Sequence, residues 1–184
     1  VRIIAGIAGG LRIESPATDR VRPTADRVRE AWFSSMQTRL PGAHVLDVFA
    51  GSGALGLEAA SRGAAEVVCV ERDRRTVDLI RRNAATTGLD VEVVLGDAAT
   101  VITSALPAAP FDIVLLDPPY RIEHDELAPV LSAIAEVVRP GGEVWVEMAR
   151  RAGPPPWPAT LRHERTRRYG ETELHTAVHQ GDQQ

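Results

Sequence analysis

The sequence predicts an α/β fold, a mainly parallel sheet with helices on both faces. Three observations predict it: short apolar runs alternate with helical patterns, one run enters a glycine-rich turn and a helix, and another stops at an acid followed by two prolines. Residues 2–13, with Gly6, Gly9 and Gly10, suggest a short β-hairpin, and residues 15–24 are rich in turn formers. A helix follows, capped by Thr24 or Asp26, with Val28, Ala31, Trp32, Ser35 and Met36 near helical spacing and Pro41-Gly42 as its stop. A strand from Val45 leads through the glycine turn into a helix over 54–62. Strands over 67–70, 92–95 and 113–116 then alternate with helices over 74–87, 98–106 and 127–138. Arg139-Pro140-Gly141-Gly142 ends the last helix, and 143–148 is the fifth strand. Residues 154–158 form a stiff proline-rich connection, and 162–169 pairs with 173–179 as a hairpin across Gly170, which makes a seven-stranded sheet with an antiparallel hairpin at its end. Residues 181–184 are expected to fray. The chain divides into an amino-terminal extension, 1–24, and a main unit, 25–184.

Composition narrows the function. A chain of 184 residues with 44% hydrophobic residues can bury a sizeable core. No apolar run approaches the ~18 residues of a membrane span, and no charged-then-apolar leader opens the chain, so a soluble, cytoplasmic protein with no membrane partner is expected. The one cysteine, Cys69, sits in an apolar strand as an inert thiol, which excludes disulfides and zinc. All 21 basic residues are arginine, and the net charge is −4. The charge is uneven: residues 1–40 hold seven arginines against four acids and 160–170 four against one, while 41–159 hold ten against seventeen. Arg2, Arg12, Arg20, Arg22, Arg27 and Arg29, with Arg162, Arg165, Arg167 and Arg168, are therefore candidates for a basic rim facing RNA around an acidic cleft.

The chemistry is concentrated where the strand 112–116 ends in Asp117-Pro118-Pro119-Tyr120. Open α/β sheets place their ligands beyond such carboxyl ends. An exocyclic amine on a nucleobase is a poor nucleophile because its lone pair is delocalised into the ring. Two fixed acceptors, the Asp117 carboxylate and the Pro118 carbonyl, can hold its two N–H groups; Pro119 adds rigidity and Tyr120 a stacking surface. This points to amine methylation without a metal.

Upstream, Gly51, Gly53 and Gly56 spell G-x-G-x-x-G after a buried strand, a pattern equally expected of a dinucleotide-binding oxidoreductase with Glu71 as its ribose acid. Asp47, inside the strand, favours instead an amino-acid-like ligand whose ammonium needs a carboxylate. Glu71 is placed to take ribose hydroxyls, and Asp97 an adenine amine. The cofactor wall is thus expected from Asp47, Phe49, Ala50, Gly51, Ser52, Gly53, Gly56, Glu71, Arg72, Asp97 and Ala98. Phe49 would either shape this pocket or fill the sheet face. Trp32, Trp145 and Trp157 are expected to pack, and His124 to begin a solvated helix.

The run 46–59, the following Ser61-Arg62-Gly63-Ala64 and the Asp-Pro-Pro-Tyr tetrad resemble the RsmD family of bacterial small-subunit ribosomal RNA methyltransferases. So do Arg2-Ile3-Ile4-Ala5-Gly6, Arg22-Pro23-Thr24, residues 26–31 and Tyr169-Gly170-Glu171-Thr172. The resemblance implies a Rossmann-like class I S-adenosylmethionine-dependent methyltransferase that modifies the N2 amine of one guanine, guanine 966, in 16S rRNA. Its substrate would be the 30S subunit or an assembly intermediate. Arg22 and Thr24 would then lie near the methionine end of the cofactor or at the RNA entrance, and the RNA-contact candidates are Arg2, Arg12, Arg20, Arg22, Thr24, Arg167 and Arg168. Val1 stands where the family begins with methionine, as expected of an alternative start or a trimmed chain. A DNA adenine N6-methyltransferase, a protein glutamine methyltransferase, a non-catalytic RNA-binding assembly factor and the oxidoreductase are the alternatives.

Overall fold

Strands that are apolar on both faces require cover on both. A computed structural model, which describes residues 1–16, 23–104, 106 and 110–181, shows that cover on one seven-stranded sheet. For residues 23–26 it describes the backbone alone. Arg20 and Arg22 lie outside the described residues. In chain order the elements are α1 (Pro23–Met36), β1 (His44–Val48), α2 (Ala54–Ser61), β2 (Glu66–Glu71), α3 (Arg74–Thr87), β3 (Glu92–Leu95), α4 (Ala98–Ser104) and β4 (Phe111–Leu116). Then come α5 (His124–Val137), β5 (Val138–Ala149), a 3-10 turn (Arg150–Ala152), β6 (Leu161–Tyr169) and β7 (Thr172–His179). The strand order is β3-β2-β1-β4-β5-β7-β6. The first five strands are parallel, and β7 is antiparallel to β5 and β6.

Alternation along each strand splits the core in two. Leu46, Val48, Val114, Leu116, Val144 and Val146 pack with Leu127, Leu131 and Ile134 of α5. Val45, Ile113, Leu115 and Trp145 meet Trp32, Phe33 and Met36 of α1 on the other face. Trp32 and Trp145 are both buried, their ring centroids 6.4 Å apart, and Trp157 packs at the edge of the first core, as the sequence predicts. His124 opens α5, exposed. Among the described residues no helix is long and apolar enough to cross a membrane.

α5 begins at His124, three residues before the expected start, α4 ends at Ser104 rather than 106, and two further boundaries differ for reasons the contacts show. α1 ends at Met36, before Pro41, because Arg39 N donates to Met36 O (2.9 Å) in a tight turn that carries the buried Leu40 inward. β5 begins at Val138 rather than 143, because residues 139–142, which read in the sequence as the stop of the preceding helix, bulge out of the strand. Val138 pairs with Phe111 and pairing resumes at Glu143 opposite Ile113. Gly141 takes a left-handed φ of 78°, and Asp112, facing the bulge, forms an ion pair with Arg139.

The amino-terminal segment pairs with itself at one bridge, Arg2 with Arg12, where the sequence suggests a hairpin. It is held to α2 by polar contacts as well as by Ile3, Ala8 and Ile13 packing with Leu57 and Leu89. Fully buried Glu58 accepts Ile4 N (2.6 Å), Ala5 N (3.0 Å) and Arg62 Nε (2.6 Å). Ser61 Oγ donates to Ala5 O (2.6 Å) and accepts from Ala8 N (3.0 Å). A carboxylate is acceptor-only and can satisfy all three donors of Glu58, whereas an amide presents hydrogens to some of them. Glu58→Gln is therefore expected to cost about 1–3 kcal/mol. Thermal unfolding should shift down and the Ile4 and Ala5 amides should exchange faster; an unchanged exchange rate would refute this anchoring role.

Candidate active site

The order of the sheet reverses between β1 and β4, which leaves a crevice outside their carboxyl ends. A cleft of about 970 Å³ opens there. Asp47, Phe49, Ala50, Gly51, Ser52, Glu71, Arg72, Asp97 and Ala98 line it, together with all four residues of the Asp117–Tyr120 tetrad. Two of the expected cofactor residues do not line it. Gly53 is the left-handed N-cap of α2 (φ 78°), and a Cβ at Gly56 would meet Cys69 Sγ at 2.6 Å. These two glycines serve the turn and the close packing of helix on strand.

Asp47 organises this end. Its Oδ2 accepts Gly56 N at 2.8 Å, while its buried Oδ1 has no hydrogen-bond partner among the described residues. Burial pushes its carboxyl up to about 8, and the charges of Asp117 and Glu71 add to that, against the opposing pull of the Gly56 N–H. The glycine turn is pinned from several sides. Gly51 N donates to Glu71 Oε2 (3.0 Å), Asp73 N to Glu71 Oε1 (3.0 Å), and Asn83 Nδ2 on α3 to Ser52 O (2.9 Å). Phe49 enters the turn at φ 64°, a strained conformation for an aromatic residue; it both lines the cleft and packs on the core.

At the other end, Asp117 is exposed, Pro118 buried and Tyr120 45% exposed. The guanidinium of Arg151 lies over the Tyr120 ring, 5.7 Å from its centroid. Glu147 of β5 and the turn Tyr169–Gly170–Glu171–Thr172 complete the mouth. Because β7 is antiparallel, its first residue sits beside Ala149 at the carboxyl end of β5, which carries that turn into the cleft.

Sequence reasoning missed Glu147, Thr76, Leu55 and Val28 as wall residues. Only Glu147 left a signal, an acid inside the apolar run 144–148. The candidate RNA residues are dispersed. Arg2 and Arg12 are exposed on the amino-terminal segment, and Thr24 lies in the first turn of α1. Arg167 donates to Ser35 Oγ, Arg168 pairs with Glu173 at 3.0 Å, and consecutive strand residues face opposite ways. Arg29 is buried in the cleft wall, its Nη2 donating to Arg2 O at 2.6 Å.

A family model described as conserved hypothetical protein 95 matches residues 1–178. Ribosomal RNA small subunit methyltransferase D of Escherichia coli (strain K12) is 41% identical over 126 residues, which span 66% of this chain and 61% of that protein, under two thirds of its length. The protein of the same name from Haemophilus influenzae is 33% identical over 150 residues, 80% of this chain and 78% of its own. Among solved structures, a putative methyltransferase, yhhF, from Escherichia coli superimposes with a TM-score of 0.87 at 30% identity and 99% coverage of both chains. The strand order and the cleft define a class I S-adenosylmethionine-dependent methyltransferase fold. Within that class, the chain belongs to the family of conserved hypothetical protein 95, the RsmD family.

Asp47 gives a measurable consequence. Its folded pKa of about 8 lies above the ordinary 3.8, so the unfolded chain releases this proton first. The stability that the protonated group allows is fully present below about pH 4 and declines as pH rises to about 8. Asp47→Asn keeps an acceptor for Gly56 N and removes the titration. The variant is expected to melt higher than the native chain at pH 8, by roughly 5 °C or more, with the gap closing toward pH 4. A gap independent of pH would contradict the burial of an ionisable group here.

Proposed function

We propose that the chain methylates the exocyclic N2 amine of one guanine, guanine 966 of 16S rRNA, in the small ribosomal subunit or its assembly intermediate, with S-adenosylmethionine as methyl donor. The observation that carries it is the joining, in one cleft, of a buried carboxylate oxygen without a partner among the described residues and the Asp117-Pro118-Pro119-Tyr120 tetrad. The relatives named for small-subunit ribosomal RNA methylation support the substrate class.

The residues present fit the donor. Asp47 Oδ1 suits an ammonium group, the Gly51 turn and the start of α2 suit a carboxylate, Glu71 suits ribose hydroxyls, and Asp97 an adenine amine. When bound, the donor supplies a methyl carried on a sulfonium sulfur. The rest is done by the chain. A guanine extruded from its stack would lie on Tyr120, while Asp117 and the Pro118 carbonyl each accept one N–H of the amine and aim its lone pair. As the N–C bond formed, the methyl–sulfur bond would break and leave a neutral thioether, the nitrogen would carry one proton too many, and Asp117, exposed to solvent, would take it and pass it on. No covalent enzyme intermediate is needed.

The test is tritium transfer from labelled S-adenosylmethionine to 30S particles lacking the modification, with naked 16S rRNA, DNA and ribosomal protein in parallel and the product nucleoside identified. N2-methylguanosine at one site is expected; a label on DNA or protein alone would overturn the proposal. Asp117→Ala should lose about 10²–10⁴-fold in turnover with donor affinity kept. Preserved turnover would remove Asp117 from the chemistry.

A further inference from the structure

Several of the arginines that the sequence pattern offers to RNA are engaged, while others outside that pattern lie around Tyr120 and the turn after β5. Arg162 pairs with Glu164 and Arg168 with Glu173, and Arg167 donates to Ser35. By contrast Arg121, Arg150 and Arg151 are exposed, and none has an ion-pair partner among the described residues.

Two of them border Tyr120. Arg121 follows it in the chain, and Arg151 covers its ring from the 3-10 turn that leaves β5. Arg150 is fixed beside them, its backbone N donating to Glu171 O (2.8 Å) in the turn that lines the mouth. None of the three lines the large cleft, and Arg151 backs the Tyr120 ring from outside it. Like charges near one another without ion-pair partners repel, and a polyanion relieves that repulsion. The sequence hid this group because its members lie in the acidic middle of the chain, thirty residues of sequence apart.

Resting on the proposed RNA substrate, we infer that Arg121, Arg150 and Arg151 grip the RNA backbone, taking the phosphates that flank the extruded base while Arg151 also steadies the ring on which the base stacks. An extruded nucleotide stays tied to its two phosphates, so these must lie at the lip around the stacking ring. Guanidinium groups bind phosphate oxygens bidentately and also lie well over aromatic faces, which suits Arg151 to both tasks.

The test compares the native chain, the combined Arg121→Gln, Arg150→Gln, Arg151→Gln variant and a control with Arg162→Gln, Arg165→Gln and Arg168→Gln. Methyl transfer to 30S particles is measured across salt concentrations, with donor affinity as the check of folding. The lip variant is expected to raise KM for particles about tenfold or more and to flatten the salt dependence by about 2 in log–log slope, with kcat changed less and donor affinity kept. The control should change KM less. Arg150→Gln alone, touching only an exposed side chain, should raise KM by about threefold and keeps the test decisive should the combined variant fold poorly. Native KM and salt slope in the lip variants would overturn the inference while leaving the RNA reading standing. If the native chain labels DNA or protein but no RNA, both fall together.

Discussion

The hydrogen bond from Gly56 N to Asp47 Oδ2, 2.8 Å long, is the constraint on which the site depends. Gly53, at the N-cap of α2, has no side chain with which to cap the helix, so the acceptor comes from the neighbouring strand. The contact is possible only because position 56 lacks a Cβ, which would lie 2.6 Å from Cys69 Sγ. Seating the helix this close fixes the turn between them, including the strained backbone of Phe49 and the Gly51 N–H directed at Glu71. It also buries a carboxylate whose second oxygen has no hydrogen-bond partner among the described residues. Burying a charge is costly without a partner, so at neutral pH Asp47 is held largely protonated, and a cationic ligand in the cleft is the most direct means of ionising it.

Topology then decides what shares the cleft with that carboxylate. The reversal of strand order sets the end of β1 beside the end of β4, and so Asp47 beside Asp117, close enough for the charge of one to raise the pKa of the other. The antiparallel β7 returns the chain to the same end of the sheet and delivers the Tyr169–Thr172 turn. From the opposite side Val1 and Pro16 reach the wall, on a segment held down by Glu58 and Ser61 of α2. One eight-residue helix therefore organises the glycine turn at its start and anchors the amino-terminal segment along its length.

How far the sequence foretold this depends on whether the signal is local. α3 and β3 agree with expectation to the residue, because Asp73 caps the helix through Thr76 N (2.8 Å) and Gly88 closes it in a left-handed conformation. The end of α1 was illegible because Leu40 continues the apolar pattern after the backbone has turned. The bulge in β5 was illegible because its punctuation reads as a stop unless the partner β4 is known to resume pairing beyond it. At the site, acids closing apolar strands stand out in a linear sequence. Glu147 and Arg151 do not, since the place of each follows from β5 lying next to β4 and from the turn after it. The three glycines were legible as a motif but not by role: Gly51 faces the cleft, whereas Gly53 and Gly56 shape what stands behind it.

Net charge is a poor guide to what such a cleft accepts. The chain carries −4 overall, and beside the largely protonated Asp47 the cleft wall holds Glu71, Asp97 and Asp117, a set that would repel a polyanion taken alone. Charged groups farther apart than about 8 Å are strongly screened at physiological ionic strength, so a phosphate at the mouth responds first to the guanidinium groups of the lip. Deeper in, the same acids favour a cation, and a cation bound among them would lower the repulsion felt at the mouth. Acidic floor and basic lip thus act on different charges of one assembly, and each makes the other's ligand easier to hold.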